Sequence, residues 1–168
     1  MDKINIVARS EVTDADLKSA RLGTRFGRLD LQSRLALLAV ELLRIDFEKF
    51  SRERIAICLA ASTGSLATDF DFWEGRNAVG GPSPTLFAYT LPSAAIGEIA
   101  IRHRLTGPNL CFVGNEKMLL PEATDLIQRG EADSCVCVYC AVVNASIAKI
   151  IKSPVAARAQ AYFMTRRD

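Results

Sequence analysis

The segment GPNLCFVGNEKMLLPEATDLIQRGEAD, residues 107 to 133, has the pattern of a strand that leads through a tight elbow into a helix. Many α/β enzymes place a nucleophile at such an elbow, because the turn exposes the side chain and the helix N-terminus favours negative charge. The elbow residues here are Gly114, Asn115, Glu116 and Lys117. The pattern therefore predicts the geometry of a nucleophile site but supplies no serine or cysteine to it.

Two residues outside the elbow could still take part in chemistry. Cys111 lies at the start of the apolar strand, five residues before Glu116, so a buried packing role is favoured over that of a displaced nucleophile. His103 is the single histidine and lies near the end of a predicted helix. Its neighbours Arg102 and Arg104 disfavour the imidazolium form, and no partner acid is evident, which favours a structural role.

Three further cysteines, Cys135, Cys137 and Cys140, occur in SCVCVYCAVV. Zinc sites usually draw ligands from two separated pairs, or from cysteine and histidine together, whereas this cluster lies on one apolar strand. We therefore predict buried packing residues and no metal site or cofactor.

The composition excludes several classes of protein. The chain has 168 residues, of which 49% are hydrophobic and 24% charged, with a formal net charge of +2. This fits one folded domain over residues 1 to 168, or half of a larger two-domain architecture, and the scattered basic residues do not indicate nucleic-acid binding. The longest uncharged run, residues 77 to 97, contains five glycines and prolines before its last residue, so no membrane segment is predicted. Five cysteines without a secretion signal favour the cytoplasm.

The periodicity alternates between strand and helix. Apolar runs predict strands at residues 4 to 8, 55 to 62, 110 to 113, 134 to 143 and 157 to 167. Amphipathic or capped segments predict helices from Ser33, in the segment 62 to 76, from Pro92 to about Leu105 and from Pro121 to Arg129, with a connection from Lys149 to Pro154. The small side of the helix after Pro92, which carries Ala94, Ala95, Gly97 and Ala100, predicts burial between layers. The order β-α-β-α-α-β-α-β-β indicates a layered α/β domain.

Four segments in order carry a resemblance to a known family: SRLALLAVELL, IAICLAASTGSL, SPTLFAYTLPSAAIGEIAIRHRLTGPNL and ATDLIQRGEAD. Together they resemble the N-terminal half of a β-ketoacyl synthase of the thiolase fold. The similarity runs from about Gly27 to the end of the chain and is most specific from Ser83 to Leu110. It implies an α/β, thiolase-like half with a mixed β-sheet and helices on both faces.

The resemblance also implies where a nucleophile would be. Active members carry a cysteine at the start of the helix after this strand, and an ungapped count from Gly107-Pro108-Asn109-Leu110 places that position on Glu116. A carboxylate there cannot carry an acyl thioester. The family also takes two histidines from its C-terminal half, whereas this chain has only His103. The resemblance therefore implies a chain without catalytic residues.

Ketosynthases dimerise along the strand before the nucleophile, so the resemblance implies an interface at Leu110, Cys111, Phe112, Val113 and Gly114. The predicted function is an inactive subunit, similar to a chain length factor, in fatty acid, polyketide or aryl-polyene-type biosynthesis. It would form a homodimer or a heterodimer with an active ketosynthase.

Two other functions remain open. The chain could be an acyltransferase that uses Cys111, or half of a split condensing enzyme. It could also bind acyl chains or acyl carrier protein, whose acidic surface Arg102, Arg104, Lys117 and Arg129 could meet.

Overall fold

The computed structural model describes residues 4 to 166 and contains one five-stranded sheet with helices on both faces. The strands are β1 (Ile4–Thr13), β2 (Ile55–Ala61), β3 (Asn109–Val113), β4 (Ser134–Val143) and β5 (Ala156–Arg166). The helices are α1 (Asp14–Leu17), α2 (Leu31–Leu42), α3 (Leu66–Gly75), α4 (Pro84–Phe87), α5 (Ala94–His103), α6 (Glu116–Gln128) and α7 (Ala145–Ile151). The predicted α/β class with a mixed sheet is confirmed.

The order of strands in the sheet is β1-β5-β4-β2-β3. β2 pairs in parallel with both β3 and β4, whereas β5 is antiparallel to β4 and β1. All residues of β2 and β4 are buried, which explains why their sequences are continuous apolar runs and do not alternate. β3 lies at one edge of the sheet, with only one neighbouring strand.

Alternate residues of each strand belong to two hydrophobic clusters, one on each face of the sheet. On one face, Leu35 of α2, Ile99 of α5 and Phe163 of β5 are among the fully buried side chains of the larger cluster. On the other face, Leu119, Ala123 and Ile127 of α6 cover the smaller cluster. The sheet therefore forms the middle layer, and the elbow connects β3 to the helix on the smaller face.

Several elements differ from the sequence predictions: α1 and α4 have no predicted counterpart, and α6, α7 and β1 have other bounds. α6 begins five residues before Pro121, because the Asn115 side chain accepts a hydrogen bond from the Lys117 N–H at 3.0 Å and caps the helix there. Pro121 is thus inside the helix, on its exposed side. Helix α7 overlaps the predicted connection from Lys149 to Pro154, and Asn144 caps this helix by accepting from the Ile147 N–H at 2.9 Å. β1 extends to Thr13 because it pairs with β5 along its length.

The sequence predicts that the small side of α5 is buried between two layers, but the structure leaves this side partly open to solvent. Ala95 is buried, but Ala94, Gly97 and Ala100 are partly open to solvent, and a Cβ added at Gly97 would meet no atom within 4 Å. Helix α5 is in contact with α2, and its two larger buried residues, Ile96 and Ile99, belong to the core cluster on that face of the sheet. It therefore belongs to an outer layer.

Three of the exposed apolar residues lie on α3, on α4 and at the carboxyl end of β3. Trp73 and Phe87 are each 61% exposed, and Val113 is 62% exposed. A Cβ at Gly64 would lie 3.2 Å from Val113 and 3.4 Å from Pro92, so the end of β3 adjoins the segment that follows α4. Val113 thus brings an exposed apolar side chain to the free edge of the sheet.

Candidate functional site

The elbow after β3 is built by close packing and a capped helix. The Gly114 N–H donates to the Ala61 carbonyl at 3.0 Å, which holds the end of β3 against β2. A side chain at Gly114 would come within 2.9 Å of the Met118 sulfur and 3.4 Å of the Phe112 ring. Glycine thus lets the chain turn directly into α6, whose first residue is Glu116.

The Glu116 side chain is half-buried and is held by two residues of β5. The Tyr162 hydroxyl donates to Glu116 Oε1 at 2.6 Å. The Gln160 amide, in the orientation that its surroundings favour, donates to Oε1 at 2.6 Å and to Oε2 at 3.0 Å. The carboxylate also lies at a helix N-terminus, where negative charge is favoured. Glu116 therefore joins α6 to β5 by hydrogen bonds.

Sequence reasoning did not identify Gln160 and Tyr162 as partners of the elbow. Their i, i+2 spacing on a strand places both side chains on one face of the sheet, and this spacing is the signal in the sequence that the two can contact the same group. Tyr162 is 46 residues from Glu116, however, and only the order of the strands brings the two together.

Tyr162 gives this cluster a dependence on pH. Burial, and then the Glu116 carboxylate, raise the pKa of Tyr162 to about 12, from a reference value of 10.0. The stabilisation from the neutral phenol is complete below pH 10.0 and is lost as the pH rises through about 12.

We expect Tyr162→Phe to have a free energy of unfolding about 1 kcal/mol lower than that of the wild type at neutral pH. On going to high pH, the free energy of unfolding should fall less for this variant than for the wild type. Urea unfolding at stepped pH measures both, and parallel curves for the two proteins would contradict the prediction.

Cys111 lies on the other side of the sheet from the Glu116 cluster. Its side chain packs against the cluster beneath α2 and α5, whereas its neighbours Leu110 and Phe112 pack against the cluster beneath α6. Burial raises the pKa of the Cys111 thiol, which disfavours the reactive thiolate. The structure thus does not bring Cys111 and Glu116 together.

His103 is at the opposite end of the sheet from the elbow, because α5 ends at the start of β3 and the elbow follows its end. Its Nε2 lies 3.6 Å from Glu41, and its ring packs on Phe47 with centroids 4.9 Å apart. Burial lowers the pKa of His103, and Arg102 also lowers it, whereas Glu41 acts in the other direction. Glu41 is thus an acid close to His103 that the sequence did not reveal, although His103 Nε2 makes no hydrogen bond with residues 4 to 166.

The cysteines of β4 divide between the two faces of the sheet. Cys135 and Cys137 face α6, with their sulfurs 3.7 Å apart, and Cys137 lies 3.5 Å from the Met164 sulfur. Cys140 faces the other cluster. Over residues 4 to 166, no three His, Cys, Asp or Glu side chains are arranged to hold a metal ion.

The four basic residues considered for carrier-protein binding do not form one patch. Arg102 pairs with Glu41, and Arg129 pairs with Asp125 at 2.8 Å and with a second carboxylate, that of Glu131, at 2.7 Å. Arg104 follows α5 and Lys117 begins α6, which places these two at opposite ends of β3.

The comparisons with known proteins give solved structures only, since no family model and no curated protein matches the chain. The ishigamide ketosynthase/chain length factor superposes with a TM-score of 0.78 at 20% identity, over 96% of this chain and 62% of that chain. The ketosynthase ApeO in complex with its chain length factor ApeC, from Xenorhabdus doucetiae, gives 0.75 at 18% identity, over 99% of this chain and 80% of that chain. A type II polyketide synthase acyl carrier protein in complex with its hexaketide-bound ketosynthase gives 0.78 at 13% identity, over 99% and 63%.

These likenesses establish the fold, which is the thiolase-like α/β fold of ketosynthases and chain length factors. The resemblance seen in the sequence is confirmed at that level. The chain spans less than two thirds of the length of two of the three matched chains. No helix within residues 4 to 166 is long and apolar enough to cross a membrane.

Proposed function

We propose that this chain is a non-catalytic, ketosynthase-like subunit that pairs through β3 with an active ketosynthase or with a second copy of itself. It would act in fatty acid, polyketide or aryl-polyene-type biosynthesis, as a chain length factor does. The observation that carries the proposal is Glu116. It occupies the nucleophile position implied by the family resemblance, and Tyr162 at 2.6 Å and Gln160 hold its carboxylate.

The hydrogen-bonded carboxylate of Glu116 supports the proposal that the elbow transfers no acyl group. Its oxygens already accept bonds from β5, and they would form an anhydride with an acyl group where the family needs a thioester. The position at a helix N-terminus, which favours a thiolate in an active enzyme, here favours the carboxylate. In this proposal the elbow keeps the turn from strand to helix, and the Glu116 side chain stabilises the fold through its hydrogen bonds to β5.

The edge of β3 supports the pairing. The Ile57 N–H bonds to the Pro108 carbonyl at 2.9 Å and the Gly114 N–H bonds to Ala61. Because inward and outward backbone groups alternate along a strand, those of Asn109, Cys111 and Val113 face away from the sheet. These three residues leave their outward N–H and C=O groups unpaired, and with the exposed Val113 they fit the addition of a strand from another subunit.

The alternative enzyme functions have less support. An acyltransferase that uses Cys111 would need an activated thiol, but burial raises the pKa of this thiol, and its side chain packs on the other sheet face from the Glu116 cluster. Half of a split condensing enzyme would need its nucleophile from elsewhere, because the elbow supplies Glu116.

Intact-mass spectrometry after incubation with malonyl and acyl carrier protein tests the proposal. We expect no covalent adduct on the chain, while an active ketosynthase treated in the same way gains the acyl mass. We also expect co-purification with a full-length ketosynthase when the two are produced together. An acyl adduct that is lost on Cys111→Ala would overturn the non-catalytic assignment, and failure to bind any ketosynthase or a second copy would overturn the pairing.

A further inference from the structure

A cavity of about 590 Å³ opens where β4 ends and β5 begins. In open α/β sheets, ligands commonly bind beyond the carboxyl ends of the parallel strands, and volumes of a few hundred Å³ are typical of small-molecule sites. The cavity lies beside β4 and β5, whereas the elbow follows β3 on the far side of β2. Its lining is mainly aliphatic and includes Leu29, Leu31, Ala67, Leu86, Val142 and Val155.

The polar group in the lining that lacks a partner is Arg34. Its Nε is buried and has no hydrogen-bond partner, and its guanidinium makes no ion pair or hydrogen bond with any of residues 4 to 166. A buried N–H without an acceptor is costly, and a guanidinium presents two parallel N–H groups that fit a carboxylate. Because the buried Nε is closed to a ligand, it is the two terminal nitrogens of Arg34, Nη1 and Nη2, that are available to the oxygens of a carboxylate in the cavity.

The other polar residues of the lining differ in their availability. Asp30 caps α2: one oxygen accepts from the Ser33 N–H at 3.0 Å and the other from the Thr68 hydroxyl at 2.8 Å. The Asn144 carbonyl oxygen caps α7, which leaves its amide N–H groups as a second donor in the lining. Asp71 is exposed, and its carboxylate, like that of Asp30, is a negative charge in the lining.

We propose that this cavity binds a small aliphatic carboxylate, with the carboxylate on Arg34 and the hydrocarbon against the aliphatic lining. The site is independent of the elbow and of the pairing through β3. Two nearby acids, Asp30 and Asp71, oppose an anion, so binding depends on the direct bond to Arg34.

Three eight-carbon probes distinguish the chemistry: octanoate, octanamide and octylamine. In calorimetric titrations we expect octanoate to bind, octanamide to bind about tenfold more weakly because its bond to Arg34 lacks the second charge, and octylamine not to bind. Methyl shifts of Val142 and Val143 in NMR spectra would locate the ligand. Octylamine that binds more tightly than octanoate, octanamide that equals octanoate, or no binding at millimolar octanoate would each overturn the proposal.

The variant Arg34→Met keeps the aliphatic stem and removes the donors. We expect it to weaken octanoate binding by about tenfold or more, and to unfold at the same temperature as wild type or a higher one, because a buried donor without a partner has been removed. Arg28→Met, at an exposed position outside the cavity, is the matched control and should leave binding unchanged. Unchanged octanoate affinity in Arg34→Met would overturn the site. Marked destabilisation by this substitution would show that Arg34 has a structural role and overturn it also.

Discussion

Replacing Gly107 by alanine is expected to destabilise the protein by about 3 kcal/mol or more, which would lower the melting temperature by about 10 °C. An added Cβ would lie 2.2 Å from the Ile55 carbonyl oxygen, 2.7 Å from its carbon and 3.1 Å from the Glu53 carbonyl oxygen. These are backbone atoms at the start of β2, so no side chain can move aside. The Gly-Pro before β3 is thus a site of close contact between two backbones. Thermal unfolding followed by circular dichroism measures the effect.

Gly97→Ala is the matched control for this substitution. Gly97 lies within α5, and its added Cβ would meet no atom within 4 Å. Alanine there should stabilise the helix by about 0.5 to 1 kcal/mol. A melting temperature of Gly107→Ala equal to that of the wild type would contradict the close backbone contact between Gly107 and the start of β2.

Cys111 is expected to form a disulfide between two copies of the chain, if the copies pair through β3. The outward backbone groups of Asn109, Cys111 and Val113 are centred on Cys111, so an antiparallel pair with the greatest overlap places Cys111 opposite its equivalent. Directly opposed residues that exchange hydrogen bonds have Cα atoms about 5.5 Å apart, within the range for disulfides. Diamide treatment at about pH 9, followed by non-reducing electrophoresis, should convert the chain to a covalent dimer, since the raised pKa of this thiol slows the reaction at neutral pH.

Two variants control this experiment. Cys111→Ser should give no covalent dimer, because the other four cysteines are fully buried. Val113→Lys places a charge at the exposed end of the edge and should prevent cross-linking, whereas Ile101→Lys on the exposed side of α5 should not. A monomer that does not cross-link would contradict self-pairing in this register and leave the ketosynthase heterodimer as the form to test.

The sequence predicted the architecture well where one face or both faces of an element are buried. Residues 55 to 62 and 134 to 143 were recognised as strands because their apolar runs match strands covered on both sides. Helix α7 was missed because it has only seven residues and one buried side chain, Ile147, so its pattern is weak. The sequence predicts the start of α6 too late, because Pro121 has the pattern of a first-turn proline, whereas the Asn115 side chain caps the helix five residues earlier.

The candidate site was predictable in its position but not in its contacts. The strand, the elbow and Glu116 follow from a linear count. The hydrogen bonds to Tyr162 and Gln160, and the pairing of His103 with Glu41, depend on strand order and helix packing across tens of residues. The sequence pattern does not mark Arg34 as a ligand-binding residue, because its position in a cavity and its lack of a partner are visible only in the folded structure.

The free edge of β3 also bears on how the chain behaves when it is made in excess. An edge of five residues, with Val113 exposed at one end, offers a template to any extended strand in a crowded cell, including that of an unfolded protein. If β3 is the proposed pairing surface, a ketosynthase that occupies it would also protect the chain from aggregation. The amount of soluble chain would then follow the amount of its partner, and the ratio of the two subunits would be set in part by the solubility of one strand.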